Sequence, residues 1–518
     1  GAGARESSQR FIEPVHRAYE RGIRWALANK AWVGGGALIL ALAALFVYFN
    51  LGTGFLPEMD EGGFVIDYLT PAGTSLSETD ALVRQMEAKV NQLPEKSAFS
   101  RRTGAELGLF ATEQNKGDIL VKLKPRSQRK RHIEDVMSDL RADINRSVAG
   151  AEVEFSQILQ DMLSDMEGTP EPVEVKIFGS DTNELNRIAD ELGPKLEKIR
   201  GVVDYKGPQR GNPELVMNVD PVLAAHAGMT VEQVSQQVRD GLLGDSPTNY
   251  RQNDRLIPIR VRYTDAFRSD EGNVRQFPII NPNRQVVPLQ ALATIGKERG
   301  QNQLLRENQR LMVVLTARLE KRDLGSAIAE VKKVLSAEKL PVGYTYEIGG
   351  QYEIQQSSFR DLVSVLALAL AAVFTVLVIQ FRAFLPAIVI ISAAPLSLIG
   401  VFFLLLVTGT PLNVSSFMGI ILMVGLVVKN GIIFFEYYER LRGAMPATEA
   451  LVEAGRIRLR PILMTTLCTL FGLLPLALGI GSAAELQQPL AIAVIGGLSV
   501  STAITLLLMP VAYTSFAR

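Results

Sequence analysis

Apolar and polar positions are unevenly distributed along this chain. Residues 31–49 (AWVGGGALILALAALFVYF) carry no charge. A long polar region follows, about 51–358. Apolar runs then return at Leu362–Ile379, Phe384–Val407, Ser416–Phe435, Ile462–Leu478 and Leu490–Val511. Each run is close to the ~20 residues a helix needs to cross ~30 Å of hydrocarbon. The pattern predicts six transmembrane helices, the first at 31–50 and five more within 359–518. A soluble core would need several unpatterned apolar helices in succession.

The polar region changes period. Residues 64–70 (FVIDYLT) and 118–124 (DILVKLK) alternate as strands do. With helices at about 75–91 and 132–147, and strands near 97–103 and 152–156, the order is βαββαβ. That order predicts a ferredoxin-like unit over about 54–156. It recurs with strands at 173–178, 201–206, 311–317 and 344–348 and helices at 182–199 and 324–336. The second unit is therefore expected over 171–212 plus 306–350, interrupted by an insertion at 213–305. The fold class expected is a six-helix membrane bundle plus an α+β outer region of two such units.

Charge gives the orientation. Arg5, Arg10, Arg17, Arg21, Arg24 and Lys30 precede the first span. Arg382 follows the second, and Arg440, Arg442, Arg456, Arg458 and Arg460 lie between the fourth and fifth. The loop at 409–415 has no charge, and 479–489 has only Glu485. Basic residues collect on the cytoplasmic side, so both termini are expected inside and 51–358 outside. The first apolar run follows thirty residues of tail and has a poor cleavage sequence at 50–54, so it reads as an uncleaved anchor. Before it, 11–29 reads as an amphipathic helix on the inner surface, within a cytoplasmic segment 1–30.

Lys+Arg and Asp+Glu are both 54, which excludes a strongly basic nucleic-acid binder. One cysteine, Cys468, excludes a disulfide framework within the chain. The histidines, His16, His132 and His226, are far apart in sequence. There is no phosphate-binding G-x-x-x-x-G-K-[ST], dinucleotide fingerprint, His-Glu-x-x-His or Gly-x-Ser-x-Gly. No cofactor and no enzymatic chemistry are expected, which leaves an ion-gradient machine or a receptor.

Lys429 is the one ionisable residue well inside a predicted span. At mid-helix it costs roughly 2.5–3.5 kcal/mol on insertion scales, so it needs a partner, a function or a snorkelling route. None of the six apolar runs contains Asp or Glu; Asp361, Glu436 and Glu485 lie at the ends. A carboxylate partner would have to come from another six-helix unit. Pro461 is expected in the first turn of the fifth helix, after a cytoplasmic loop ending Arg456–Arg460. Thr465 and Thr466 follow, with hydroxyls that ordinarily bond backbone carbonyls. Gly419, Gly425, Gly431, Gly496 and Gly497 would allow close helix packing.

The segments GLVVKNGIIFFEYYERLR (425–442), RIRLRPILMTTLCTLFGLLPLALGIG (456–481) and QPLAIAVIGGL (488–498) resemble the carboxy-terminal half of the inner-membrane permease of resistance–nodulation–division (RND) efflux pumps. GFLPEMDEGGF (54–64) and 351–381 do so too. The resemblance implies a proton-driven transporter in the bacterial inner membrane. It implies a relay to which this half contributes Lys429, Arg458 and Thr465, with Asn430 as a neighbour. Its partners would be an amino-terminal half carrying intramembrane aspartates, further copies in a homotrimer, a periplasmic adaptor, an outer-membrane channel and membrane lipid. The outer units would be porter subdomains and 213–305 a docking insertion. The chain is about half the length the resemblance implies, so a fragment or one subunit of a split pump is expected.

Small organic or amphiphilic substrates are the preferred expectation. Heavy-metal cations are the alternative, with Met162 and Met166, four residues apart, as a weak metal pair whose commoner role is packing. A non-transporting half-size regulatory partner is a further alternative. A proton-driven protein-translocation motor would place a carboxylate in its own fourth helix, and none is present.

Overall fold

A computed structural model describes residues 2–57, 59–107, 111–167, 171–209, 211–300, 303–481 and 484–516, the side chains of 2–12 and 163–167 excepted. The chain divides into two compact units. One holds Gly1–Thr70, Ser75–Pro208 and Leu305–Arg518, the other Pro71–Thr74 and Gln209–Leu304.

In the first unit, α1 (Ala2–Ala28) leads into α2 (Lys30–Asn50). The stretch read as an amphipathic helix, 11–29, lies almost wholly within α1. Tyr19, Ile23, Ala26 and Leu27 form a buried stripe that belongs to the core of the helical bundle. Trp25 stays 59% exposed, as does Trp32 at 78% on α2, where aromatic rings suit a membrane interface.

The first sheet comprises β1 (Gly63–Leu69), β2 (Lys96–Thr103), β3 (Lys116–Leu123) and β4 (Glu152–Gln157), with α3 (Leu76–Asn91) and α4 (Ile133–Ser147) as connections. Its order is β2-β3-β1-β4, antiparallel throughout. Phe64, Ile66, Ile119, Val121 and Phe155 pack with Val83, Met86, Val136 and Leu140 of the two helices. Ser75 starts α3 by accepting the Glu78 N–H at 3.2 Å, a side-chain cap of the usual kind. A short α5 (Ile158–Glu167) follows β4.

The second sheet begins with β5 (Val173–Phe178), α6 (Thr182–Glu197) and β6 (Val202–Lys206). An insertion then intervenes and is the other compact unit. It holds β7 (Pro213–Val219), α7 (Pro221–His226), α8 (Val231–Leu242), β8 (Asp245–Gln252), β9 (Arg255–Val261), α9 (Asp265–Arg268), α10 (Glu271–Arg275), β10 (Pro278–Ile280), β11 (Val286–Pro288) and β12 (Ala293–Arg299). Its core joins Ala224, Val234, Phe277, Ile279 and Leu289, whereas the β8–β9 hairpin is exposed along its whole length.

The chain returns as β13 (Leu305–Glu307), β14 (Arg310–Leu319), α11 (Leu324–Ala337) and β15 (Thr345–Gly349). β14 pairs with β5 and with β6, and β5 pairs with β15. The strand order β6-β14-β5-β15 thus repeats the order of the first sheet, with the insertion in place of the β2–β3 connection.

The bundle continues with α12 (Gln351–Phe381), α13 (Phe384–Thr408), α14 (Val414–Arg442), α15 (Ala447–Ala477) and α16 (Ala484–Ala503). A π-helical turn (Ile504–Leu508) then leads to α17 (Met509–Phe516). With α2, six helical segments among the described residues are long and apolar enough to cross a membrane, the last being Ala484–Phe516. α15 starts at Ala447, so Pro461 lies in mid-helix and not in a first turn. The stretch before it is helical because Ala450, Leu451 and Ala454 join the core that Tyr19 and Ile23 of α1 complete.

Glycines set the closest crossing. A Cβ on Gly400 of α13 would collide with the Gly496 carbonyl of α16, and the reverse holds for Gly496. Gly419 lies against the Leu490 carbonyl, Gly497 against Met423, and Gly431 against Ile390 and Met509. Small residues let backbones approach where lipid gives no hydrophobic drive between helices. Gly425 departs from the expectation: no atom of the described residues lies within 4 Å of its Cβ position, its own helix backbone aside.

The link from α2 to β1 is zipped to both regions. Gly54 N–H donates to Leu412 O at 3.0 Å and Leu412 N–H to Gly52 O at 2.8 Å. Gly325 N–H of α11 donates to Thr53 O at 3.2 Å, and Gln355 of α12 donates to Gly54 O at 2.8 Å. Asp60 N–H donates to Glu485 at 2.5 Å, while the Asp60 carboxylate takes Arg129 at 2.6 and 3.0 Å.

Candidate functional site

The sequence singles out α14 and α15, and their geometry follows from helical period. On α14, Met418, Leu422, Gly425 and Lys429 recur at spacings of four, three and four, so they share one face. All four are exposed in this chain. The intervening Met423, Val424, Val427, Val428, Asn430 and Gly431 are buried in the bundle. Lys429 thus stands on an apolar stripe that none of the described residues covers. Among the described residues it makes no hydrogen bond and no ion pair. Asn430, at 4% exposure, faces inward instead.

Arg458 on α15 is half-buried, and its guanidinium lies 4.7 Å from the centre of the Tyr437 ring on α14. Its Nε is buried and donates to nothing among the described residues. Arg458 therefore keeps a spare donor while the aromatic face holds its charge in place. Its neighbour Arg456 pairs with Glu453 at 3.3 Å, and Arg460 is exposed, which suits anchoring.

Thr465 is exposed and donates its hydroxyl to Ile462 O of its own helix at 3.0 Å. Thr466 behaves differently. It is buried, and its hydroxyl meets that of Thr502 on α16 at 3.2 Å. No hydrogen bond or ion pair joins Lys429, Arg458 and Thr465 to one another among the described residues. Their levels nonetheless correspond. Arg458 sits beside Tyr437, and α14 and α15 are antiparallel neighbours. Seven residues on from Arg458, about 10 Å at 1.5 Å per residue, bring Thr465 level with Asn430 and Lys429.

Sequence reasoning missed the Arg458–Tyr437 stack and the Thr466–Thr502 contact. The aromatic run Tyr437-Tyr438 at the end of α14 was the available signal for the first. The second needs the α15–α16 packing, which no local pattern encodes. The methionine pair falls partly outside the described residues. Met162 on α5 is 49% exposed, and the Met166 side chain lies outside the described residues. No cluster of three or more His, Cys, Asp or Glu residues with metal-holding geometry occurs among the described residues.

Comparison with known proteins agrees with this architecture. The model of the AcrB/AcrD/AcrF family matches residues 3–517. The cobalt-zinc-cadmium resistance protein CzcA of Cupriavidus metallidurans is 32% identical over 528 residues, covering 99% of this chain and 50% of that protein. The multidrug resistance protein MdtC of Yersinia pestis is 25% identical over 511 residues, covering 97% and 49%. A crystal structure described as a heavy metal efflux pump, crystal form II, superposes with a TM-score of 0.85 at 27% identity, covering 97% of this chain and 52% of that one. The chain spans about half the length of the curated relatives it matches.

Proposed function

This chain belongs to the AcrB/AcrD/AcrF family of RND permeases, and on that premise we propose that it is the carboxy-terminal half of a proton-driven efflux transporter. The observation that carries the reading is Lys429, exposed on the Met418–Leu422–Gly425 stripe of α14 and without a hydrogen bond or ion pair among the described residues. An ammonium on an apolar helix face inside a membrane is costly unless a carboxylate meets it. The apolar runs of the six spans contain no Asp or Glu, so a second six-helix half supplies the carboxylate.

The chemistry is charge switching. In a low-dielectric site an ionised carboxylate holds Lys429 strongly. When that carboxylate takes a proton, the attraction falls away and the ammonium is released. Thr465, level with Lys429, and Arg458, with a spare Nε donor, are the other members of the relay on this half. Asn430 anchors the same turn from the buried side. The zipped link at 52–55 gives such a switch a route to the outer sheets.

The two β-rich units act as ferredoxin-like porter subdomains, a reading supported by their repeated strand order. The insertion, about 213–305, acts as the docking element. Its exposed hairpin, with Tyr250, Leu256, Ile259 and Val261 uncovered, suits contact with an adaptor, an outer channel or another protomer of a homotrimer. The chain resides in the bacterial inner membrane with both termini cytoplasmic, and the arginines near Arg24, Arg442 and Arg456 support that orientation.

For the substrate, the sequence preference was organic or amphiphilic compounds. A second reading, export of heavy-metal cations, is favoured by the names and higher identity of relatives such as CzcA. Lys429→Ala, expressed with a complementary half, tests the relay. Efflux is lost while membrane insertion is retained; wild-type efflux from that variant contradicts the role.

A further inference from the structure

One face of the first outer sheet carries a row of charge. In register across four strands stand Arg102 on β2, Asp118 on β3, Asp67 on β1 and Glu154 on β4. Directly opposed residues in antiparallel strands project from one face about 5 Å apart, and like charges there repel. The row lies on the face away from α3 and α4, because the alternate positions Phe64, Ile66, Ile119, Val153 and Phe155 form the core.

The ends of the row are satisfied. Arg102 forks onto Asp118 at 2.7 Å through both Nε and Nη2, and Leu107 N–H donates to the same carboxylate at 2.7 Å. Glu154 is buried and takes Arg318 of β14 and Lys206 of β6. Burial pushes its carboxyl up, but Arg318 and Lys206 more than offset this and hold it at about 2.

The middle of the row is not satisfied. Asp67 has no hydrogen-bond or ion-pair partner among the described residues. The charged groups facing it are Asp161 on α5, Lys206 on β6, Glu154 on β4 and Glu106 after β2, with Asp118 beside it on β3. Burial, and then Asp161, push its carboxyl well above the ordinary 3.8.

Glu154 draws both its cations from the second sheet, so the row ends at a seam between the two βαβ units. The seam has other ties. Arg141 of α4 reaches Asp204 of β6 at 2.8 Å and Glu320 at 2.7 Å, and Phe155 N–H donates to Asp204 at 3.0 Å. Asp204 adopts a φ of 50°, a conformation costly for a non-glycine residue.

We propose that Asp67 is a proton-operated latch on this seam. Its protonated carboxyl leaves Lys206 to Glu154 and keeps the two units joined. Its ionisation sets three carboxylates side by side, draws Lys206 away from Glu154 and loosens β6 from β4. The latch responds to outer pH, separately from the intramembrane lysine.

Hydrogen–deuterium exchange on the full chain in nanodiscs, with EDTA present, tests it. Over pH roughly 5 to 9, and after correction for intrinsic rates, wild-type exchange at β6 rises about tenfold. Asp67→Asn keeps β6 protected throughout, and Glu154→Gln leaves it exchanging fast throughout. A wild-type profile retained in Asp67→Asn, or a flat wild-type profile, overturns the latch. Should Asp67→Asn fail to fold, Asp118→Asn gives the second reading. Removing one neighbouring negative charge moves the wild-type midpoint to lower pH, and an unmoved midpoint overturns the proposal.

Discussion

The Arg458 guanidinium lies 4.7 Å from the centre of the Tyr437 ring. This contact ties the inner half of α15 to α14 and fixes the relative height of their polar residues. A cation over an aromatic face contributes roughly 0.5–2 kcal/mol depending on desolvation. Tyr437→Leu should therefore lower the thermal unfolding midpoint of the detergent-solubilised chain, and Arg458→Lys should lower it by less. Lysine keeps the charge but not the planar stack. Equal midpoints for wild type and Tyr437→Leu would count against the contact.

The glycines of the bundle separate into two kinds. Gly496 meets the Gly400 backbone, whereas Gly425 meets nothing within 4 Å. Gly496→Leu must push α13 and α16 apart and should cost at least the ~1–3 kcal/mol of an overpacked core. Gly425→Leu should leave the stability of this chain unchanged, yet reduce its co-purification with a complementary half. Loss of stability in Gly425→Leu alone would show that the stripe is covered from within the chain.

Tyr19 seats α1 on the bundle. Its hydroxyl donates to Leu506 O at 3.1 Å, within the π-helical turn, and its ring rests on Gly455. A π-turn displaces the regular ladder, and Tyr19 supplies a donor there. Tyr19→Phe should cost about 1 kcal/mol for the lost hydrogen bond. Gly455→Val should do more, because its side chain takes the place of the ring. Protease susceptibility of α1, read by mass spectrometry, should rise in that order.

The seam between the two sheets gives a pH dependence of known sign. Glu154 sits at about 2 in the fold against an ordinary 4.5, held there by Arg318 and Lys206 over the opposing effect of burial. A depressed carboxyl stabilises above its ordinary value, and that stability is lost as pH falls from about 4.5 through about 2. The shift corresponds to a few kcal/mol at order-of-magnitude level. Thermal melts of the wild type should weaken across that window. Glu154→Gln should be destabilised at neutral pH, because buried Arg318 and half-buried Lys206 lose their partner. A variant as stable as wild type at pH 7 would contradict the pairing.

Much of this architecture is legible in sequence, for physical reasons. Membrane spans are set by length and the absence of charge, so all six stand out. The outer strands alternate, so FVIDYLT and DILVKLK are read directly. Lys429 is visible as a lone charge in an apolar run. What stays hidden depends on which elements meet. The early start of α15 at Ala447 depends on a stripe of α1 more than 400 residues away. Asp67, Asp118 and Glu154 each sit at an ordinary alternate position, and only the strand order β3-β1-β4 lines them up. Gly425 and Gly431 stand six residues apart on one helix; only the packing tells an open glycine from a filled one.

We propose that Lys429 carries the cationic side of a proton relay completed by another half. Proton influx into proteoliposomes measures it most directly, with this chain reconstituted beside a complementary half under an imposed pH gradient. The account predicts substrate-coupled influx for the wild-type pair, loss of that influx for Lys429→Ala, and retention for Thr466→Val, whose hydroxyl contacts Thr502 instead. Wild-type influx through Lys429→Ala would contradict it.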